Sequence, residues 1–478
     1  MGYGNRSNYE TWRRDAIAVR GYREGDGEVP ERALQIIWQQ QRLKPELKLG
    51  DGRKVRVWHP GFWNHEPGPD FRDAMIQIDD DPVLRGDVEV DVELGGWKAH
   101  GHDRNPMFAN TILRVVFDLP SKSKAPVLPL KPHVDGPWPA LLEWAMMEPS
   151  GELPKRLKGN CCAPLRALGD DGLRELLKDA SLVRLQTKAA LFRARAKHCG
   201  WEQSLFEGLF AGLGYKNNVW PMRRLAESVL SGSAINSSRS EEAVVQATLL
   251  GLSGLMPPDW KAEDRERDDY LDELWSVWWR LRESMESQAL PAGLWNFAGV
   301  RPANRPERRL ALAAQWLVTG DLIGRIEEWC EEQPIDRVVV DSLKNVLSQR
   351  EGSFWDEHFT FTSNPMNKPA PLIGKDRIHD LAVNAVLPWL HARAKSGRNL
   401  MLLKRIEARY LAWPKSADNS ALRLARQRLL GTQSSRVLKT AAHQQGLLQI
   451  VRDFCARSDA VCTNCPFPNY VERLAVEG

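Results

Sequence analysis

One stretch of nine residues constrains this chain more than any other. Gly86-Asp87-Val88-Glu89-Val90-Asp91-Val92-Glu93-Leu94 alternates between acid and aliphatic without a break. A period of two is the mark of a β-strand, whose successive side chains point to opposite faces. Val88, Val90, Val92 and Leu94 then turn toward a core, and Asp87, Glu89, Asp91 and Glu93 share the other face. Carboxylates two apart on a strand sit roughly 7 Å from one another, near enough to repel. No Lys or Arg is interleaved among them, so the face is either solvated or arranged around something positive.

The neighbouring sequence supplies a frame for such a strand. After Pro30 an amphipathic helix is expected from Glu31, with Leu34, Ile37, Trp38 and Gln41 at helical spacing. Gly50-Asp51-Gly52 turns the chain into a strand over 54–59, where Val55 and Val57 alternate. A loop rich in Pro and Gly over 60–69 leads to a second strand over 71–78. The acidic stretch 86–94 is the third strand, and 111–119 the fourth. Residues 1–28 read as a loose leader and 29–150 as an α/β module. After Pro154 a period near 3.6 takes over, in segments 181–198, 201–213, 241–252, 270–285, 307–318, 376–394, 421–430 and 437–454. Pro and Gly punctuate them, and no repeat recurs at a fixed period. Residues 151–454 thus read as an all-helical domain, and 455–478 as a Cys-containing tail. The fold class expected is α+β, a small mixed sheet with a flanking helix followed by a large all-α region. With 478 residues, more than one core is needed.

Several function classes fall away. Met1 to Arg23 is polar and charged rather than an apolar signal, and nowhere do 18 apolar residues run together, so no membrane span is expected. The compartment expected is the cytoplasm. Seven cysteines are an odd number in a chain without a secretion signal, which favours reduced thiols or metal ligands over a disulfide framework. The sequence contains no Gly-x4-Gly-Lys-Ser/Thr loop, dinucleotide fingerprint, His-Glu-x2-His helix or Gly-x-Ser-x-Gly elbow. ATP-driven work would need a partner.

Chemistry-bearing residues gather around the acidic strand. Gly68-Pro69-Asp70 sets an acid at the mouth of the second strand, and Trp97-Lys98-Ala99-His100-Gly101-His102-Asp103 follows the third. An Asp from one strand, a Glu from the next and a nearby His or Lys make a divalent-cation site. Mg²⁺ and Mn²⁺ prefer carboxylate oxygens, and imidazole becomes competitive for Mn²⁺ or Zn²⁺. A cation there would neutralise a phosphate and lower the pKa of an attacking water. The alternative is that His100 and His102 are ordinary loop histidines.

This arrangement resembles the core of the PD-(D/E)XK nuclease superfamily, where a helix Glu, a Pro-Asp at a strand entrance and a (D/E)-x-K in the next strand converge. The resemblance implies a restriction-endonuclease-like module and metal-dependent hydrolysis of DNA or RNA. Glu31 would be the helix acid, Asp70 and Glu89 metal ligands, and Asp91 a third ligand or base. Asp91 stands where the pattern has Lys, so Lys98, His100 or His102 would have to supply that charge. If none does, the alternative is a non-catalytic scaffold that binds nucleic acid or protein on a degenerate nuclease core. A second set of segments runs through nearly the whole chain: Glu31-Arg32-Ala33-Leu34-Gln35-Ile36-Ile37-Trp38-Gln39, Pro60-Gly61-Phe62-Trp63-Asn64, Gly68-Pro69-Asp70-Phe71 and Gly86-Asp87-Val88-Glu89-Val90. Trp97 with His100 and His102, Leu213-Gly214-Tyr215-Lys216-Asn217-Asn218, and Arg301-Pro302-Ala303-Asn304 extend it. On these segments the sequence resembles a bacterial family catalogued as a domain of unknown function, number 2851 in that series.

The cysteines form a second pattern. Cys455-x6-Cys462-x2-Cys465 offers three thiols, and Cys161 or Cys162 a fourth, with Cys162 the one expected. Four thiols suit a structural Zn²⁺ or a 4Fe-4S cluster. Some nucleases of the superfamily carry an iron–sulfur clamp built from one distant Cys and three near the C-terminus, although here the distant Cys follows the strands. Three unligated thiols are the plainer alternative. Cys199 and Cys330 lie in helical patterns and read as packing residues. Finally, 12 Lys and Arg against 2 acids between His391 and Thr440 form a basic stretch. Arg423, Arg426, Arg428, Arg436 and Lys439 on it, with Arg301, Arg305, Arg308 and Arg309, are expected to give a basic helical surface for a nucleic-acid backbone. A solvated helix face is the alternative.

Overall fold

A computed structural model describes residues 8–18, 29–64, 68–120, 125–146, 159–215, 217–231, 241–257, 265–332, 334, 338–348, 353–431, 436–455, 462 and 465–477. The chain divides into two compact units. The first comprises 1–169, 424–432 and 448–478, and the second 170–423 and 433–447. The boundary thus falls at residue 169 rather than 150, and the chain returns from the helical region to complete the first unit.

The first unit is built on one mixed sheet. Its strands are β1 (Leu47–Lys48), β2 (Lys54–His59), β3 (Phe62–Trp63), β4 (Phe71–Ile78), β5 (Leu84–Asp91), β6 (Thr111–Val116) and β7 (Leu128–Pro129), in the order β1-β2-β4-β5-β6-β7 with β3 beside β4. β2, β4 and β5 run antiparallel, whereas β6 lies parallel to β5 and β7 to β6. A parallel neighbour requires a crossover, and here it holds only a short helix and a 3₁₀ turn over Pro106–Phe108. The acidic strand ends at Asp91, three residues earlier than its alternation predicts, because the chain turns after Val92 toward that crossover. The fourth strand likewise stops at Val116.

Four of the first unit's helices precede residue 150: α1 (Asn8–Ala18), α2 (Glu31–Gln39), α3 (Gly96–Ala99) and α4 (Trp138–Met146). α2 lays Ala33, Leu34, Ile37 and Trp38 against Val88 and Val90 of β5, Phe71 and Ala74 of β4, and Leu113 and Val115 of β6. Fully burying each large apolar side chain of this kind contributes roughly 1.5–3 kcal/mol. The indole of Trp38 donates to the Pro60 carbonyl at 2.9 Å, so a residue that could not otherwise be buried without cost also ties the loop before β3. Part of the stretch expected to be a loose leader is α1, which buries Tyr9 completely and binds its hydroxyl to Asp453 at 2.7 Å. The expected tail likewise contains a helix, Phe467–Glu477.

The second unit, in its described residues, forms helices joined by loops, with one isolated bridge between Pro414 and Thr440. Its first helical run, Gly169–Leu213, breaks at Gly200, where φ is 84°. Only glycine enters that region at little cost, which is why 181–198 and 201–213 read as separate segments. The helices Val219–Ser231, Leu322–Glu332, Val339–Leu347 and Leu400–Ala412 lie between the segments that periodicity picks out. Trp355 and Trp389 in this unit are fully buried, the packing role their surroundings imply. Among the described residues no helix is long and apolar enough to cross a membrane.

Gly86 lies close against the chain that enters β6. A Cβ there would lie 2.4 Å from Ile112 Cγ2 and 2.6 Å from the Asn110 carbonyl oxygen. Gly86→Ala is therefore expected to lower unfolding stability by about 1–3 kcal/mol, measured by urea denaturation. An unchanged midpoint would mean that the parallel pair tolerates a wider spacing.

Candidate functional site

The register between β4 and β5 assembles the site. Phe71 pairs with Val88, which leaves Asp70 opposite Glu89 at the strand mouth. The Asp70 backbone N–H donates to Glu89 Oε2 at 3.0 Å, and the Val90 N–H donates to Asp70 Oδ2 at 3.1 Å. From α2, Gln35 Nε2 reaches both Glu31 Oε1, at 3.0 Å, and Asp70 Oδ1, at 2.9 Å. Glu31 and Gln35 are four apart, so one helix face presents both. Glu31, Asp70, Glu89 and Asp91 all act on one another's charge.

The acidic face is not the solvated surface it would be on an ordinary outer strand. Glu89 is 6% and Asp91 2% exposed, while Glu93 is exposed and Asp87 half-buried. The crossover segment covers them. His102 stacks on Phe108 with centroids 4.0 Å apart, and its Nδ1 lies 3.2 Å from Glu89 Oε1. His100 Nδ1 lies 3.7 Å from Asp91 Oδ1. One ligand atom from each of Asp91, His100 and His102 falls within 4.8 Å of the other two. Asp91 Oδ2 and His102 Nδ1 are buried and, among the described residues, make no hydrogen bond.

Of the expected site residues, Lys98 stands apart, exposed on α3. The cation that faces Asp91 is Arg114, the register partner of Glu89 on the parallel strand β6, with Nη2 3.8 Å from Asp91 Oδ2. Its guanidinium lies over the Trp97 ring at 4.8 Å and donates to the Leu94 carbonyl at 3.1 Å. Gln35 and Arg114 are the residues sequence reasoning missed. Gln35 was legible in its spacing from Glu31, whereas Arg114 depends on a parallel pairing that no local pattern announces.

Crowded, buried carboxylates resist ionisation. Burial, joined by repulsion from Asp70, pushes Glu89 up to about 8. Burial also raises Asp70, to about 6, against the hydrogen bonds from Val90 and Gln35. Asp91 and Glu31 are raised by burial as well, the former opposed by Arg114 and the two histidines, the latter reinforced by Asp91. Burial lowers His102. Two imidazoles and a carboxylate, with unsatisfied ligand atoms among them, are the donors that an Mn²⁺ or Zn²⁺ ion requires.

The remaining expected residues fall elsewhere. Cys162 Sγ donates to the Arg428 carbonyl at 3.1 Å, and Cys455, Cys162, Cys465 and Cys462 act on the charge of Cys161. Arg308 and Arg309 are 1% and 4% exposed. Arg308 donates to the Trp355 carbonyl at 2.9 Å and Arg309 to that of Ala303 at 2.9 Å, so both hold loops together rather than form a surface. Arg409 and Arg428 of the basic stretch are also buried, whereas Arg423, Arg436 and Lys439 are exposed. Of the stretch's cations, Arg426 and Arg428 belong to the first unit and Arg423, Arg436 and Lys439 to the second.

A family model described as a protein of unknown function, DUF2851, matches residues 31–418. The chain belongs to the DUF2851 family. No curated protein and no solved structure gave a match. The DUF2851 span contains the whole acidic site and ends before Cys455. Within it, two of the segments that carry the resemblance meet in the second unit. Tyr215 donates to Asn304 Oδ1 at 2.7 Å, at the wall of a cavity of about 200 Å³.

A carboxyl whose folded pKa exceeds its unfolded value favours the folded state fully below the unfolded pKa, and that contribution is lost as pH rises through the folded one. For Glu89 the window runs from its ordinary 4.5 to about 8. Glu89→Gln is therefore expected to raise Tm by about 2–4 °C over wild type at pH 8.5, in metal-free buffer, and to narrow the gap at pH 5.5. Equal gaps at both pH values would contradict the burial assigned to Glu89.

Proposed function

We propose that this protein is a divergent metal-dependent nuclease that hydrolyses phosphodiester bonds of DNA or RNA at the sheet mouth of the first unit. The observation that carries the proposal is the meeting of Glu31, Asp70 and Glu89, from a helix and two strand positions, with Asp91, His100 and His102. Asp91, His100 and His102 would hold the cation, Mn²⁺ or Zn²⁺ in preference to Mg²⁺ because two donors are imidazoles. The bound cation would supply charge neutralisation at phosphate and a more acidic water.

The protein's own groups have the remaining parts. Glu89 lies beside the cation set without belonging to it and has its Oε2 fixed by the Asp70 N–H, so it is the proton acceptor. Asp70 positions it, and is itself oriented by Gln35 and the Val90 N–H. Arg114 takes the electrostatic role that the resemblance gives to Lys, since a guanidinium can meet a phosphate with two donors. A guanidinium cannot act as a base at neutral pH, however. That observation favours the second reading, a scaffold that binds nucleic acid or protein without cleaving it.

Labelled single- and double-stranded DNA and RNA, incubated with Mn²⁺, Zn²⁺ or Mg²⁺, distinguish the two. Cleavage is expected with wild type and at least about 100-fold slower cleavage with His102→Ala and with the Asp70→Ala, Glu89→Ala double variant. A folded, metal-loaded wild type that cleaves none of them would leave the scaffold.

A further inference from the structure

The first unit brings together four thiols from three places in the sequence. Cys161 precedes the helix Cys162–Ala167, Cys455 ends the turn Val451–Cys455, and Cys462 and Cys465 lie just before the helix Phe467–Glu477. Cys161 is 5% and Cys455 8% exposed. Cys455, Cys162, Cys465 and Cys462 all act electrostatically on Cys161. The sulfurs of Cys161 and Cys462 lie 3.2 and 3.8 Å from the point where a side chain on Gly159 would begin, so residue 159 is a glycine where two thiols close on the backbone. Phe454 and Phe467, both buried and stacked 4.6 Å apart, keep the surroundings apolar.

One charged group is buried among these thiols. Arg428 is 1% exposed, its Nη2 lies 3.4 Å from Cys462 Sγ, and its charge also acts on Cys455. Four thiolates around a divalent ion or a cubane cluster leave a net negative centre, which one arginine partly balances.

We infer that Cys161, Cys455, Cys462 and Cys465 form a tetrathiolate metal centre, of the Zn²⁺ or 4Fe-4S class, that ties the C-terminal segment to residue 161. Cys162 is not a ligand, because its sulfur is turned to the Arg428 carbonyl. Binding releases the thiol protons as the sulfurs ionise. Cys161 lies within the span that the family model matches, and Cys455, Cys462 and Cys465 lie beyond it.

The test is metal and acid-labile sulfide analysis, with absorption spectra, of full-length wild type, Cys161→Ser, Cys162→Ser and Cys465→Ser purified anaerobically. One zinc per chain without sulfide, or a visible charge-transfer band with iron and sulfide in equal amounts, supports the centre and tells the two classes apart. Cys161→Ser and Cys465→Ser are each expected to lose about tenfold or more of the metal, and Cys162→Ser to keep it. Should the variants fail to fold, Co²⁺ added to metal-stripped wild type is expected to give sulfur-to-metal charge-transfer bands of a four-thiolate tetrahedral site. Metal-free wild type with no Co²⁺–thiolate bands, disulfides in place of free thiols, or loss of metal in Cys162→Ser with retention in Cys161→Ser would each overturn the inference.

Discussion

Two hydrogen bonds between the mouth of β4 and β5 govern the site. Asp70 gives its backbone N–H to the Glu89 carboxylate and takes the Val90 N–H on its own. Each acid is thereby held by the other strand's backbone, and neither can move without breaking the register that places Phe71 and Val88 in the core. Hydrogen bonds from N–H groups favour the ionised form, whereas burial and mutual repulsion disfavour it. The balance leaves a set of carboxylates that hold protons more tightly than free ones do. A positive charge placed among them would relieve that repulsion, which ties the chemistry of the sheet mouth to the packing of its hydrophobic face.

The sequence carried the strands of this sheet well and the site only in part. Alternation from Asp87 to Val92 announced β5, and Pro69-Asp70 announced the mouth of β4, because both signals are local. The covering of Glu89 and Asp91 was not legible, since it comes from a crossover that folds His102 and Phe108 over the strand. Arg114 was hidden for a related reason. A parallel partner is specified by a long-range pairing, and the search for a cation along β5 itself met Asp91 and then the exposed Lys98.

The arginines and cysteines teach the same lesson from the other side. A run of basic residues reads as a surface because charge is costly to bury. Arg308, Arg309, Arg409 and Arg428 are buried nonetheless, and partners such as the carbonyls of Trp355 and Cys330 accept their donors. Cys161 and Cys162 could not be separated by spacing. Adjacent residues at a helix start point about 100° apart, and it is the Cys162 sulfur that meets the Arg428 carbonyl.

The return of the chain to its first unit has a consequence for biosynthesis. Tyr9 and Asp453 are separated by 444 residues along the chain. At roughly 5–20 residues per second, translation takes about 20–90 s to cover that distance. The sheet and its acids can therefore assemble on the ribosome well before α1 finds its partner and before the last two thiols exist. During that interval the nascent first unit exposes the apolar seat of its C-terminal helix. Synthesis of the segment around Asp453, and not folding of the sheet, is the event that closes the unit.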